Sequence, residues 1–235
     1  MDNLLIILII GMIILDASFL FQIVKIWTEK HSFGLSLTSW TVNMIGRIIW
    51  IVYGMLLSNH GGIVLTIGQG LCGLMTIPVI YYILRNRKTD GEYKKEHFSK
   101  PLFALRVFMV AIIFTLIVTC IAFSILAINE KDKIGEDKMI LVISLIGSSF
   151  TGLSFLPQAI KTVKTQDTKA TSLNLCLAFI LGNSLMITYL MIQAVNDDVM
   201  KYIAGIIFTS ISVLSMITIT IIKIKNIITL KQNID

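Results

Sequence analysis

Residues 18–57 read SFLFQIVKIWTEKHSFGLSLTSWTVNMIGRIIWIVYGMLL, and residues 154–193 read SFLPQAIKTVKTQDTKATSLNLCLAFILGNSLMITYLMIQ. The two segments align without a gap at an offset of 136 residues. Identities fall at Ser18/Ser154, Phe19/Phe155, Leu20/Leu156, Gln22/Gln158, Lys25/Lys161, Ser36/Ser172, Leu37/Leu173, Gly46/Gly182, Ile51/Ile187, Tyr53/Tyr189 and Met55/Met191, which is 11 of 40. Apolar composition alone produces chance matches among Ile, Leu and Met. It does not readily pair Gln, Lys, Ser, Gly and Tyr in one register. An internal repeat of this length decides the fold and has to be read before any single helix.

Working outward, the chain around the repeat is built for lipid. It has 235 residues, of which 55% are hydrophobic and 14% charged, with mean hydropathy +0.84. A soluble domain carries about 25% charged residues, so there are too few charges here to cover a water-facing surface. Apolar runs of about 20 residues recur, each able to cross about 30 Å of hydrocarbon as a helix. Such runs are too long and too continuous for barrel strands, and only helices and closed barrels satisfy the backbone in lipid. Seven spans are expected: Leu4 to Val24, Leu37 to Leu57, Ile63 to Leu84, Val107 to Ala127, Met139 to Ile160, Leu173 to Met191 and Tyr202 to Ile222. The apolar N-terminus lacks a basic leader region and reads as the first span, not a signal peptide.

The repeat maps spans one to three onto spans five to seven and leaves the fourth over. Three helices repeated directly would invert the second copy, and one extra helix restores a parallel orientation. The expected fold is therefore an all-α membrane protein. Its seven transmembrane helices form two parallel three-helix bundles joined by a linker helix. Residues 1–84 make the first bundle, 85–138 a basic loop, the linker helix and an outer loop, and 139–235 the second bundle. Parallel repeats about an axis along the membrane normal are a known transporter plan. With the N-terminus outside, 15 of the 20 cations fall on cytosolic segments, 4 on outer segments, and Arg47 lies within a span. That bias puts the C-terminus in the cytosol. The net charge of +6 belongs to this asymmetry, and nucleic acid is not an expected partner. Short loops and the lack of an Asn-x-Ser/Thr sequon favour a bacterial plasma membrane over a eukaryotic organelle membrane.

Residues 155–173, FLPQAIKTVKTQDTKATSL, resemble the PQ-loop motif: Pro157-Gln158 at one end of a span, a short basic loop, then Ser172-Leu173 opening the next. Residues 20–37 resemble a degenerate copy that keeps Gln22 and Gly34-Leu35-Ser36 but has Phe21 in place of the proline. The superfamily includes SWEET sugar transporters, lysosomal cystine and cationic amino-acid exporters, and KDEL receptors. The resemblance implies solute movement through a central cavity between the bundles. Paired asparagines that SWEETs carry in their third and seventh spans are not evident. Gln69 lies near the first position, and Gly205, Thr209 and Ser210 near the second.

Polar residues inside the spans are the candidate binding residues: Arg47, Asn43, Gln69, Asn183 and Asp16. A charge at mid-bilayer costs about 2.5–3.5 kcal/mol on insertion scales and normally faces a cavity or a partner. Asp16 and Arg47 could pair structurally. Alternatively Arg47 faces the cavity and binds an anionic group, while Asp16 takes up a proton. Asn43, Gln69 and Asn183 read as interhelical hydrogen bonds or as ligand contacts. Gate or hinge candidates are Gln22, Pro157, Gln158, Trp50, Tyr53 and Tyr189. Pro157 leaves the carbonyl of Leu153 without its helical partner, so it reads as a hinge or a static kink. Trp50, Tyr53 and Tyr189 read as an aromatic belt at the outer interface or as an outer gate. Gly68, Gly70 and Gly73 allow close helix contact.

Cys72, Cys120 and Cys176 all lie within apolar runs, without metal or disulfide spacing. No catalytic constellation, metal motif or cofactor motif is visible, so an enzyme is not expected. The expected function is a small-solute transporter working by alternating access, its solute a sugar, amino acid or other small metabolite. The expected partners are the bilayer and that solute. Proton coupling and a homo-oligomer are compatible with the pattern. The alternatives are a KDEL-receptor-like ligand-binding protein and a structural membrane protein that transports nothing.

Overall fold

The computed structural model describes residues 2–32, 34–57, 60–87, 137–197 and 199–232. The expected fourth span, Val107 to Ala127, and Cys120 within it lie outside the described residues. The described elements are α1 (Asp2–Glu29), α2 (Leu37–Leu56), α3 (His60–Arg87), α4 (Asp137–Ser154), α5 (Leu156–Thr165), α6 (Leu173–Asn196) and α7 (Val199–Gln232). Among the described residues there is helix and no strand. Five helical spans are long and apolar enough to cross a membrane. Helix α1, at 28 residues, reaches about 42 Å, more than a hydrocarbon core. Helix α2, which carries Asn43 and Arg47, is not among the five, although it packs between two other helices. The chain is a multi-pass membrane protein.

The helices close into a ring. Helix α1 packs on α3 and α6, α2 on α3 and α4, and α7 on α4, α5 and α6. Shifting by the repeat sends α1 to α4, α2 to α6 and α3 to α7, and every principal contact maps onto another. Each unit thus places its third helix between its first two, and the units meet along two equivalent seams, α2 with α4 and α1 with α6. The repeated glycines sit on these seams. A Cβ added at Gly46 would lie 2.7 Å from Thr151 N, and one at Gly182 would lie 2.9 Å from both Gly11 O and Leu15 N.

The repeat extends to the loops. Helices α1 and α5 both end in a left-handed residue, Lys30 (φ 52°) and Gln166 (φ 53°), which occupy equivalent positions. Their amides donate to Ile26 O and Thr162 O at 3.0 and 2.8 Å, the bond that closes an αL cap. Helices α2 and α6 start at equivalent caps, where Ser36 Oγ accepts from Ser39 N and Ser172 Oγ from Leu175 N.

Two helix expectations need correction. The fifth span is not one helix: it breaks at Phe155 into α4 and α5, with Pro157 in the first turn of α5. Proline is tolerated in a first helical turn, where its missing N–H needs no partner. At the equivalent Phe21, α1 runs through unbroken. The seventh span also continues beyond Ile222 to Gln232. Hydropathy ends at Lys223, but the helix does not. Lys223 Nζ donates to Thr168 O at 2.8 Å, and Asn226 Nδ2 to Gln166 O at 2.7 Å, so the extension is docked on the second loop. Helix α3 agrees with its span to within three residues at each end and carries Pro78 in its interior, a proline the span reading left unassigned.

Candidate functional site

The site is a stack of layers running up the middle of the ring from the end that carries the two repeat loops. The first layer is a reciprocal clamp. Gln22, on α1, donates from Nε2 to Ala170 O at 2.8 Å, and its Oε1 accepts from Ser172 N at 2.9 Å. Gln158, on α5, donates from Nε2 to Gly34 O at 2.8 Å, and its Oε1 accepts from Ser36 N. Each primary amide therefore pairs with a backbone acceptor and a backbone donor two residues apart, and it does so in the other unit's loop. Both side chains are buried. Lys161 Nζ adds a 3.2 Å bond to Leu35 O. Burying these four loop groups is tolerable because the glutamines satisfy them.

Above the clamp lie four buried rings. Phe19 stands edge-on to Trp40 with centroids 5.6 Å apart, and Trp40 stands edge-on to Phe155 at 5.8 Å. Phe155 meets Phe179 at 4.8 Å. Phe19 and Phe155 are repeat equivalents. Sequence reasoning gave these rings no role, although the Phe19/Phe155 identity, three residues before each glutamine, was a visible signal.

The third layer is polar. Arg47, 3% exposed, donates from Nε to Asn43 Oδ1 at 3.3 Å and from Nη1 to Gln69 Oε1. Its guanidinium carbon lies 5.3 Å from the Phe19 ring centroid, a cation–π contact. Asn43 Nδ2 donates onward to Ser154 Oγ at 3.0 Å, beside the helix break. Arg47, Gln69 and Asn183 line a central cavity together with Trp50, Thr151, Thr209 and Ser212. Its free space is about 10 Å³, room for about one water. Asp16 is not in its wall and makes no ion pair with Arg47. Instead Asp16 Oδ1 accepts from Cys72 Sγ at 2.8 Å, between α1 and α3. Cys72 and Cys176 are buried free thiols.

The top layer is aromatic again. Trp50 Nε1 donates to Thr151 Oγ1 at 2.9 Å across the α2–α4 seam, and its ring stands edge-on to Tyr53 at 5.0 Å. Trp50, Tyr53, Tyr189 and Tyr202 are all at most 2% exposed. This burial corrects the belt reading: the rings lie between helices and do not form a lipid-facing girdle. Beyond Tyr189 a vestibule of about 870 Å³ opens between the start of α1, the start of α3 and the end of α6. Replacing Trp50 by Phe keeps the ring and removes the bond to Thr151. The expected loss is about 1 kcal/mol of stability, read from the thermal midpoint of purified protein.

The arrangement thus holds a buried cationic cavity closed at both ends. The clamp and the four rings seal one end, and Trp50 with the tyrosines seals the other. It brings together Arg47, Asn43, Gln69 and Asn183 but leaves Asp16 to one side. Among the remaining candidates, Gln22 and Gln158 act together in the clamp, and Pro157 sits where α4 meets α5. Sequence reasoning missed Thr151, Ser154 and Ser212, because small hydroxyl side chains are common in membrane helices, and it placed Thr209 only near a position where SWEETs carry an asparagine.

No curated protein matches the chain. Residues 139–199, which hold α4, α5, α6 and the loop that Gln22 clamps, match the family model of the PQ loop repeat. The second of the two three-helix units therefore carries a PQ-loop repeat, as the Pro157-Gln158 pair and its loop implied.

Proposed function

We propose that the chain is a small-solute transporter working by alternating access. It would have seven spans in a three-one-three order, with Val107 to Ala127 as the linker and the bundles at 1–84 and 139–235. The observation that carries this reading is the reciprocal Gln22/Gln158 clamp beneath a closed polar cavity. Each half holds the other's loop, so the two halves separate at this end only if both amides let go. That is a bistable element of the kind an alternating-access cycle needs. The charge bias supports placing the clamp at the cytosolic side of a bacterial plasma membrane. Asp16, whose one hydrogen-bond donor among the described residues is a weak thiol, is the candidate proton carrier.

The test is counterflow in proteoliposomes across sugars, amino acids and small organic acids. Saturable exchange of at least one class is the expected result. Specific binding without exchange would instead favour a receptor of the KDEL type, and neither binding nor exchange a structural protein.

Pro157 offers a second check. Replacing it by Ala returns an N–H to the turn that lacks one, allowing α4 and α5 to join. The stability should change little, because proline is tolerated in a first helical turn, while turnover falls. Unchanged turnover would leave Pro157 a static kink.

A further inference from the structure

We infer that the central cavity binds a small monocarboxylate anion, held through its carboxylate by Arg47. The inference deepens the transporter reading and rests on it for the movement of the ligand, though not for its binding.

Among the described residues lining the cavity, Arg47 is the one that carries charge. A guanidinium has five N–H donors. One, on Nε, goes to Asn43 and one, on Nη1, to Gln69; the remaining three have no partner among the described residues. Both partners are neutral amides. Asp16 is near enough to act on the guanidinium through space, but it is beyond ion-pair distance and is bonded to Cys72. A largely buried cation whose described partners are all neutral, with room beside it for about one water, favours an anion as its next contact. A single guanidinium matches a single carboxylate, in bidentate geometry if two of the free N–H groups are used. A dianion would bring a second charge with nothing in the wall to meet it.

The other walls indicate the rest of the ligand. Ser212 Oγ on α7 is buried and has no hydrogen-bond partner. Asn183 spends Nδ2 on Phe179 O at 2.8 Å, which leaves its Oδ1 to accept. These groups suit a hydroxyl or carbonyl. Among the described residues, no acidic side chain lines the cavity to receive an ammonium. A hydroxy or keto acid therefore fits better than an amino acid. The cavity as it stands has room for about one water, so the ligand enters when one end opens and the walls part around it.

The test is thermal unfolding of the purified full chain with acetate, pyruvate or L-lactate. Lactamide, alanine and potassium chloride at matched ionic strength serve as comparisons. At least one monocarboxylate should raise the midpoint, with lactamide and chloride inert and alanine weaker. Arg47→Gln should weaken the apparent affinity about ten- to hundredfold, with Arg47→Lys in between. Ser212→Ala, a milder change, should weaken lactate more than acetate. A flat response to all three acids, an equal response to lactamide, or an effect undiminished in a folded Arg47→Gln protein would overturn the inference. Arg47-dependent binding without counterflow would sustain this site and sink the transporter reading. Counterflow of a neutral solute, undiminished by Arg47→Gln, would do the reverse.

Discussion

Replacing Gln158 by Leu should free the loop around Ser36 and loosen the clamped end of the protein. Leucine fills much of the same volume but cannot accept from Ser36 N or donate to Gly34 O. Each buried backbone group left unpaired costs about 1–3 kcal/mol, so the closed arrangement loses about 2–6 kcal/mol. Lys161 still holds Leu35 O, which keeps the estimate toward the lower end. Hydrogen exchange at the Ser36 amide reports the opening directly, because that N–H is the clamp's own donor. It should accelerate about 30-fold or more, while amides in the middle of α6 keep their protection. Gln22→Leu should do the same at Ser172. A fast Ser36 amide already present in the unmodified protein would mean that the clamp does not hold this end shut.

Gln158→Glu separates hydrogen bonding from shape. An ionised carboxylate can still accept from Ser36 N, but it presents oxygen to the Gly34 carbonyl and repels it. A protonated carboxyl can donate there as the amide does. Burial raises a glutamate pKa above its ordinary value of about 4.3. The variant should be clamped below its raised pKa and released above it, whereas the unmodified amide shows no such dependence. Exchange rates that are the same on both sides of the transition would count against the donor role of Nε2.

The second large effect is expected at the seams. Gly46→Ala places a methyl 2.5 Å from Thr151 Cγ2 and 2.7 Å from Thr151 N. The side chain can turn, but the backbone nitrogen can move only with α4. Displacing Thr151 also disturbs the bond from Trp50. Gly182→Ala meets backbone atoms of α1 at 2.9 Å. Overpacking of this kind costs about 1–3 kcal/mol per site, occasionally more. Gly70→Ala is the control, because its added Cβ would find nothing nearer than Ile51 Cδ1 at 4.0 Å. It should be neutral or slightly stabilising, since Ala is the better helix former by about 1 kcal/mol. Thermal midpoints of the three variants check the ranking. Equal midpoints would mean that the seams are looser than the structure has them.

Residue-level legibility was uneven. The register of the repeat was fully visible, and it carried Gln22 onto Gln158, Gly46 onto Gly182 and Ser36 onto Ser172. All three pairs occupy equivalent places in the fold. The partners of those residues were not visible. Asp16 and Arg47, the two charges deepest in the spans, read either as a pair or with Arg47 facing a cavity; Arg47 lines the cavity and bonds two amides, and Asp16 meets a thiol. Trp50, Tyr53 and Tyr189 read as an interfacial belt or an outer gate, and their burial leaves the gate as the reading to test.

The cause is the solvent. In water, the buried stripe of a helix shows as apolar against polar. In lipid both faces are apolar, so the rotation of each helix about its axis leaves little trace in the sequence. Helix α1 buries Leu8, Met12, Leu15 and Phe19 while exposing Ile6, Ile13, Leu20 and Phe21, and no hydropathy contrast separates the two sets.

Taken alone, the sequence determined the membrane class, the repeat, the motif of the second unit and the approximate place of the described helices, because span length and residue identity are local properties. Tertiary structure decided the break between α4 and α5, the crossing of each glutamine into the opposite half, and the pairing of Arg47 with Asn43 and Gln69. These depend on which faces of the helices meet, and in a helix apolar all round that is settled only by packing against its neighbours.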